Sequence, residues 1–164
     1  MPFFYVLAAP MKDPISSVAE FHRTFQHPIE ENPVIPSEAR SLLRYNLLAE
    51  ELEELKVAIQ GKDLTEIADA LCDLQYVLSG AVLEFGLKDK FWQLFAEVQR
   101  SNMSKACLTE QEALETQAYY LREKDTKSVI EKHGAYWLVF RTADRKTLKN
   151  IHYSPADLSS ILTS

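Results

Sequence analysis

Between Leu47 and Leu83 the chain places acids on faces that its own apolar residues mark for burial. Leu47, Leu48, Leu52, Leu55, Ala58 and Ile59 recur at helical spacing, and so do Ile67, Leu71, Leu74, Leu78 and Val82. The spacing predicts two helices joined by a short polar link at Gly61–Lys62. At about 100° per residue, Glu51 falls inside the first apolar arc, between Leu47 and Leu55. Glu54 borders that arc, Glu50 lies farther out and Glu53 points away. On the second helix Glu66, Asp69 and Asp73 fall within roughly 60° of one another, flanked by Tyr76 and Val77. Carboxylates crowded in a low-dielectric setting repel one another and lose hydration, so such a strip calls for a compensating cation. Donors that are all oxygen suit Mg²⁺ or Mn²⁺ rather than zinc.

Taken singly, each acid has an ordinary explanation. Glu50, Glu53 and Glu54 fit a solvated helix face, and Glu66 fits the reciprocal position of a capping box opened by Asp63. Two strips on adjacent helices, each bordered by apolar residues, are harder to explain that way.

The spacing Glu50-Glu51-x-x-Glu54 followed by Glu66-x-x-Asp69 resembles the EExxE…ExxD signature of the all-α nucleoside triphosphate pyrophosphohydrolases. These are the MazG-like proteins, related to phosphoribosyl-ATP pyrophosphohydrolase and the dimeric dUTPases. A second block, Glu97 to Lys105, resembles the segment that follows in many members, and the likeness spans roughly Val18 to Lys105. The resemblance implies a helical bundle that holds Mg²⁺, or Mn²⁺, through Glu51, Glu54, Glu66 and Asp69. It implies hydrolysis of a nucleoside triphosphate to the monophosphate and pyrophosphate. Glu50 or Asp73 is the candidate for orienting the attacking water, and Arg100, Asn102 and Lys105 for holding the phosphates. Phe25 and Gln26, after the first helix, are candidates for enclosing the base. A homodimer or dimer of dimers is implied too, since two apolar helices bearing acid strips need more cover than one short chain supplies.

Composition narrows the class. At 164 residues with 46% hydrophobic content, the chain suits one domain with a sizeable core. Only four glycines among long Leu/Ala/Glu-rich stretches argue for a mainly α fold. The net charge of −6 argues against general nucleic-acid binding, and makes metal cations more necessary for an anionic nucleotide. Cys72 and Cys107 give neither a disulfide framework nor zinc spacing, which fits reduced thiols and a cytoplasmic setting. No stretch is long enough to cross a membrane. Pro2–Ala9 is apolar but lacks a basic flank for a secretory signal. It reads as a strand or as an arm on a neighbouring subunit, and Met1 and Met11 both remain open as the start.

Along the chain, Asp13-Pro14 opens a first helix through about Phe25, with Val18, Phe21, His22 and Phe25 on one face. His22 reads as a packing residue. A rigid loop through Pro33 and Pro36 leads to Ser37, the cap of the long second helix. On that helix Arg44 points close to the Glu51 direction, either to touch acids or phosphate or simply to face solvent. Gly86 ends the third helix. A fourth runs from about Lys88 to Met103, and Thr109 to Glu112 opens a fifth through about Arg122.

After Lys127 strand formers dominate. Ala135–Arg141 is expected to pair across a Thr142–Lys146 turn with Thr147–Tyr153, Val129–Glu131 adding a third strand. Ser154-Pro155-Ala156-Asp157 caps a closing helix. The expected organisation is therefore a single domain over 1–164. Its helical core covers about 13–123, and a small β-hairpin with a short helix covers about 128–162.

Two other functions fit less of the sequence. One is phosphoribosyl-ATP hydrolysis in histidine biosynthesis. The other is a catalytically silent helical assembly module, against which the full set of motif acids weighs. A carboxylate-bridged di-iron bundle is excluded, because no histidine lies three residues after a glutamate.

Overall fold

The structure is a computed structural model, and it describes residues 13–164. The expectations for Pro2–Ala9 and for the choice between Met1 and Met11 fall outside them. Contacts divide the chain into two compact units, Met1–Phe91 and Trp92–Ser164.

Unit 1 holds α1 (Pro14–Thr24), α2 (Glu38–Gly61) and α3 (Leu64–Glu84). Each helix starts where a side chain can satisfy its first free N–H groups. Asp13 accepts from the amides of Ile15 and Ser16, Ser37 from that of Arg40, and Asp63 from those of Thr65 and Glu66. Lys62, in the left-handed region at φ 55°, ends α2, so α3 folds back along it. Gly86 does the same after α3. Its φ is +65°, its amide donates to Leu83 and that of Leu87 to Val82. A Cβ there would stand 1.9 Å from the Asn32 carbonyl oxygen, so the turn requires glycine. The core of this unit is Ile15, Val18 and Ala19 of α1 against Val82 and Leu83 of α3, with Ile29, Leu87 and Phe91 packed on it.

α4 (Phe91–Met103) starts three residues later than the periodicity suggests, because Lys90 donates its amide to Leu87 in a separate turn. Unit 2 continues with α5 (Glu110–Lys124), β1 (Ser128–His133), β2 (Tyr136–Arg141) and α6 (Leu158–Thr163). Its core joins Cys107, Ala113, Val139 and Leu148, with Tyr120, Ile130 and Trp137 packed around them. α5 thus packs its apolar side on the hairpin.

The hairpin corrects one expectation. β2 pairs with β1, from Ser128 opposite Arg141 to His133 opposite Tyr136, and not with the segment after it. The two-residue loop Gly134-Ala135, with Gly134 at φ 58°, closes that pair tightly. Residues 147–153 contribute a single bridge, Thr147 to Phe140. Beyond it their amides divide between backbone carbonyls, of Val139, Lys105 and Asn150, and side chains, of Tyr120, Thr116 and Asn150. Both cysteines are free, Cys72 exposed and Cys107 buried. Among the described residues no helix is long and apolar enough to cross a membrane.

Candidate active site

Two pairings fix how α2 and α3 lie against each other. Arg40 reaches Glu84, and Arg44 packs on Gly80. Carried along the antiparallel pair, that register sets Glu51 opposite Asp73 and Ala58 opposite Glu66. Ala58 and Ala70, both buried, let the helices approach. Beside them opens a cavity of about 440 Å³ lined by Glu50, Glu54, Glu66 and Asp69, with Val57 as its main apolar wall. Glu53, expected to point away, also borders it. Its carboxylate is on the rim and accepts from Lys56 Nζ at 2.8 Å.

Glu51 is half-buried. Burial, then repulsion from Glu54, Asp73, Glu50 and Asp69, holds its carboxyl above the ordinary value of 4.5. Glu51 therefore feels both strips. Glu66 is not used as a reciprocal cap, because the amide of Asp63 donates to the Ala58 carbonyl at 3.2 Å. Among the described residues, no cationic side chain is ion-paired with any of these six acids. Nor do any three acidic, imidazole or thiol groups among those residues already converge as a metal cage. The groove presents separate oxygen donors and a charge excess, which suits a hard divalent ion in chemistry.

Arg44 does not face these acids. It is buried, and its guanidinium bonds to Glu84 and to His22 Nε2 at 3.2 Å, while Arg40 Nε also reaches Glu84 at 3.0 Å. An acid inside the apolar run of Gly80–Phe85 attracts both arginines because an unpaired buried carboxylate would be costly. Sequence reasoning missed Glu84. The signal was there in that isolated acid and in two arginines four residues apart. His22 is the packing residue expected, 2% exposed.

One step along the same groove, a second cavity of about 350 Å³ lies between Phe21, His27 and Tyr76, with Arg44 and His22 also lining it. The Phe21 and His27 rings are nearly parallel with centroids 5.7 Å apart, and Tyr76 meets Phe21 edge-on. Phe25 is mostly exposed, its ring 4.4 Å from that of Phe21, and Gln26 ends the helix at φ 59°.

The phosphate-binding candidates fall in unit 2. Arg100 is taken up by Glu97, at 2.7 Å from both its Nε and Nη2, and by the Pro155 carbonyl. Lys105 Nζ donates to Asn102 Oδ1 at 2.7 Å.

The α2–α3 pair thus presents two rows of acids, none of the six ion-paired with a cationic side chain among the described residues, along one groove. The model of the phosphoribosyl-ATP pyrophosphohydrolase family matches residues 18–102, and the chain belongs to that family. The match runs from within α1 to nearly the end of α4, with every acid described above. An uncharacterized protein of Acanthamoeba polyphaga mimivirus is 24% identical over 241 aligned positions, covering 89% of this chain and 94% of that one. Family membership supports a nucleotide pyrophosphohydrolase type of activity.

Proposed function

We propose that the α2–α3 groove cleaves the α–β phosphoanhydride of a nucleoside triphosphate, releasing the monophosphate and pyrophosphate. The observation that carries this reading is the gathering of six acids along α2 and α3, none of them ion-paired with a cationic side chain among the described residues, their mutual repulsion felt at Glu51. Glu51, Glu54, Glu66 and Asp69 would hold Mg²⁺ or Mn²⁺. Bound there, the ion would neutralise the acids, polarise phosphate oxygens and favour ionisation of water. Glu50 or Asp73 would accept a proton from water and orient it. The aromatic cavity suits a planar base, stacked between Phe21, His27 and Tyr76 with Phe25 at its mouth.

Leu52, Ile59 and Leu71 are each more than half exposed. A homodimer or dimer of dimers that covers them is part of this proposal.

The family match equally favours phosphoribosyl-ATP, whose triphosphate offers the same bond. The deciding experiment is a pyrophosphate-release screen with Mg²⁺ or Mn²⁺, running phosphoribosyl-ATP beside ordinary, deoxy and modified triphosphates. Turnover confined to phosphoribosyl-ATP selects the narrower substrate. Turnover of none of them rejects the reading.

A further inference from the structure

Arg44 holds one unused donor at the wall of the aromatic cavity. The residue is only 7% exposed, and it lines that cavity with Phe21, His27 and Tyr76. Its Nη2 donates to Glu84 and to His22 Nε2, and its Nη1 lies against Gly80. Nε is buried too, but has no hydrogen-bond partner among the described residues. A buried donor left unmet is costly, and more so when it is charged.

The surroundings of Nε supply donors rather than acceptors. Arg40 and Arg44 share one carboxylate, that of Glu84, so the network keeps an excess positive charge. His22 has no acceptor left, because Nε2 already accepts from Arg44 and Nδ1 faces the Pro28 carbonyl at 2.8 Å. No acid is among the residues that line this cavity. Along α2 the order is Arg40, Arg44, Leu47 and then the acids from Glu50. By the register of α2 on α3, Tyr76 lies level with Leu48, about one turn nearer the acids than Arg44. A base seated here with its sugar toward the acids would therefore offer Arg44 the edge farthest from the sugar.

That edge is what distinguishes the bases. Position 6 of a purine, or position 4 of a pyrimidine, carries either a carbonyl oxygen that accepts or an amino group that donates. A carbonyl there would meet Arg44 Nε. An amino group would set N–H against N–H beside an excess of positive charge. We propose that Arg44 is a specificity-determining residue, selecting 6-oxopurine and 4-oxopyrimidine nucleotides over their amino counterparts. The assignment rests on the reading of this cavity as the base site, and it narrows the substrate class of the proposed function.

The test uses bases that differ at that position, inosine against adenosine and uridine against cytidine. NMR titration of the full chain with each nucleoside in EDTA reads binding without turnover. The oxo member of each pair should bind about tenfold more tightly, the factor one hydrogen bond to a charged donor supplies. The same preference should appear in kcat/KM for the corresponding triphosphates with Mg²⁺. Arg44→Lys keeps a cation for Glu84 but lacks the Nε–H, so it should bring both ratios to within about twofold of unity. Phe21→Leu, which thins the stacking wall, should weaken all four nucleosides alike and leave the ratios as they are. No binding of any nucleoside, equal affinities within each pair, or unchanged ratios in a folded Arg44→Lys chain overturns the assignment. Should Arg44→Lys not fold, the ratios of the parent chain decide it. Oxo-selective nucleoside binding in a protein that hydrolyses no triphosphate keeps the assignment and rejects the activity. Hydrolysis that treats both members of each pair alike does the reverse.

Discussion

Nη2 of Arg44 lies 3.2 Å from Nε2 of His22, and that contact sets the charge of the imidazole. A guanidinium only donates, so Nε2 accepts. Nδ1, 2.8 Å from the Pro28 carbonyl, then carries the proton, and His22 is neutral. Burial first, and Arg44 beside it, lower the His22 pKa below 6.5. The folded chain therefore binds this proton less readily than the unfolded chain does. Its contribution is whole above the unfolded value and is lost as pH falls below it. Glu84 acts in the same direction. Burial alone would raise its pKa, but hydrogen bonds from Arg40 and Arg44 outweigh that and bring it below 4.5. Urea unfolding should show stability dropping as pH falls below the ordinary imidazole value of 6.5, and again in stronger acid. The first drop should shrink in His22→Asn and persist in a variant of exposed His133. Glu84→Gln, which strands two arginines, should cost about 3–5 kcal/mol.

Gly80 makes room for this network. A Cβ there would stand 2.6 Å from Arg44 Nη1 and 3.2 Å from His22 Nε2. Gly80→Ala should cost about 1–3 kcal/mol by displacing a buried guanidinium. Gly61 has nothing within 4 Å of the same position, so Gly61→Ala should be neutral or gain up to about 1 kcal/mol. Thermal melts of the two variants beside the parent compare them directly. Equal melting temperatures would mean that the Arg44 side chain moves aside without cost.

Glu51→Gln and Asp69→Asn should each abolish turnover while the chain stays folded. A carboxyl whose folded pKa is raised contributes most when protonated. That contribution fades as pH rises past 4.5, so at neutral pH the ionised Glu51 opposes the fold. Removing one charge should hold or raise the melting temperature in EDTA, and should abolish most of the rise on adding Mg²⁺. Glu53→Gln, on the rim with Lys56, should turn over within about twofold of wild type, since exposed pairs contribute little. Near-normal rates in Glu51→Gln would remove it from the metal set.

Helix positions were legible because caps and periodicity are local. Asp13, Ser37, Asp63 and Thr109 all cap where expected. The helical fold with a C-terminal hairpin follows from the same signals. Burial was less legible. Leu52 and Leu71 carry the apolar period yet are 59% and 51% exposed, because periodicity gives a face but not what covers it. Arg44 was misplaced for a related reason. Its direction on the helix was readable, but the attraction of Glu84, forty residues away, was not. The hairpin partner was decided by the Gly134 loop, and the 147–153 segment by long-range bonds to Val139, Lys105 and Thr116 that propensity does not encode.

On the proposed function, the order of the two cavities along α2 predicts which bond breaks. The aromatic cavity ends at Leu47 and the acids begin at Glu50, so about one helical turn separates them. A base held between Phe21 and Tyr76 would put its sugar across that turn and its α-phosphate beside Glu51 and Asp73. The β- and γ-phosphates would lie beyond the first acids, too far along to be the point of attack. Water would then form its bond to the α-phosphorus as the bond to the bridging oxygen breaks, and pyrophosphate would leave with that electron pair. Hydrolysis in oxygen-18 water, followed by mass spectrometry of both products, reads this directly. Label in the nucleoside monophosphate is expected, whether the substrate is a simple triphosphate or phosphoribosyl-ATP. Label in pyrophosphate, or release of single phosphate with a diphosphate product, would place the attack elsewhere and refute this order.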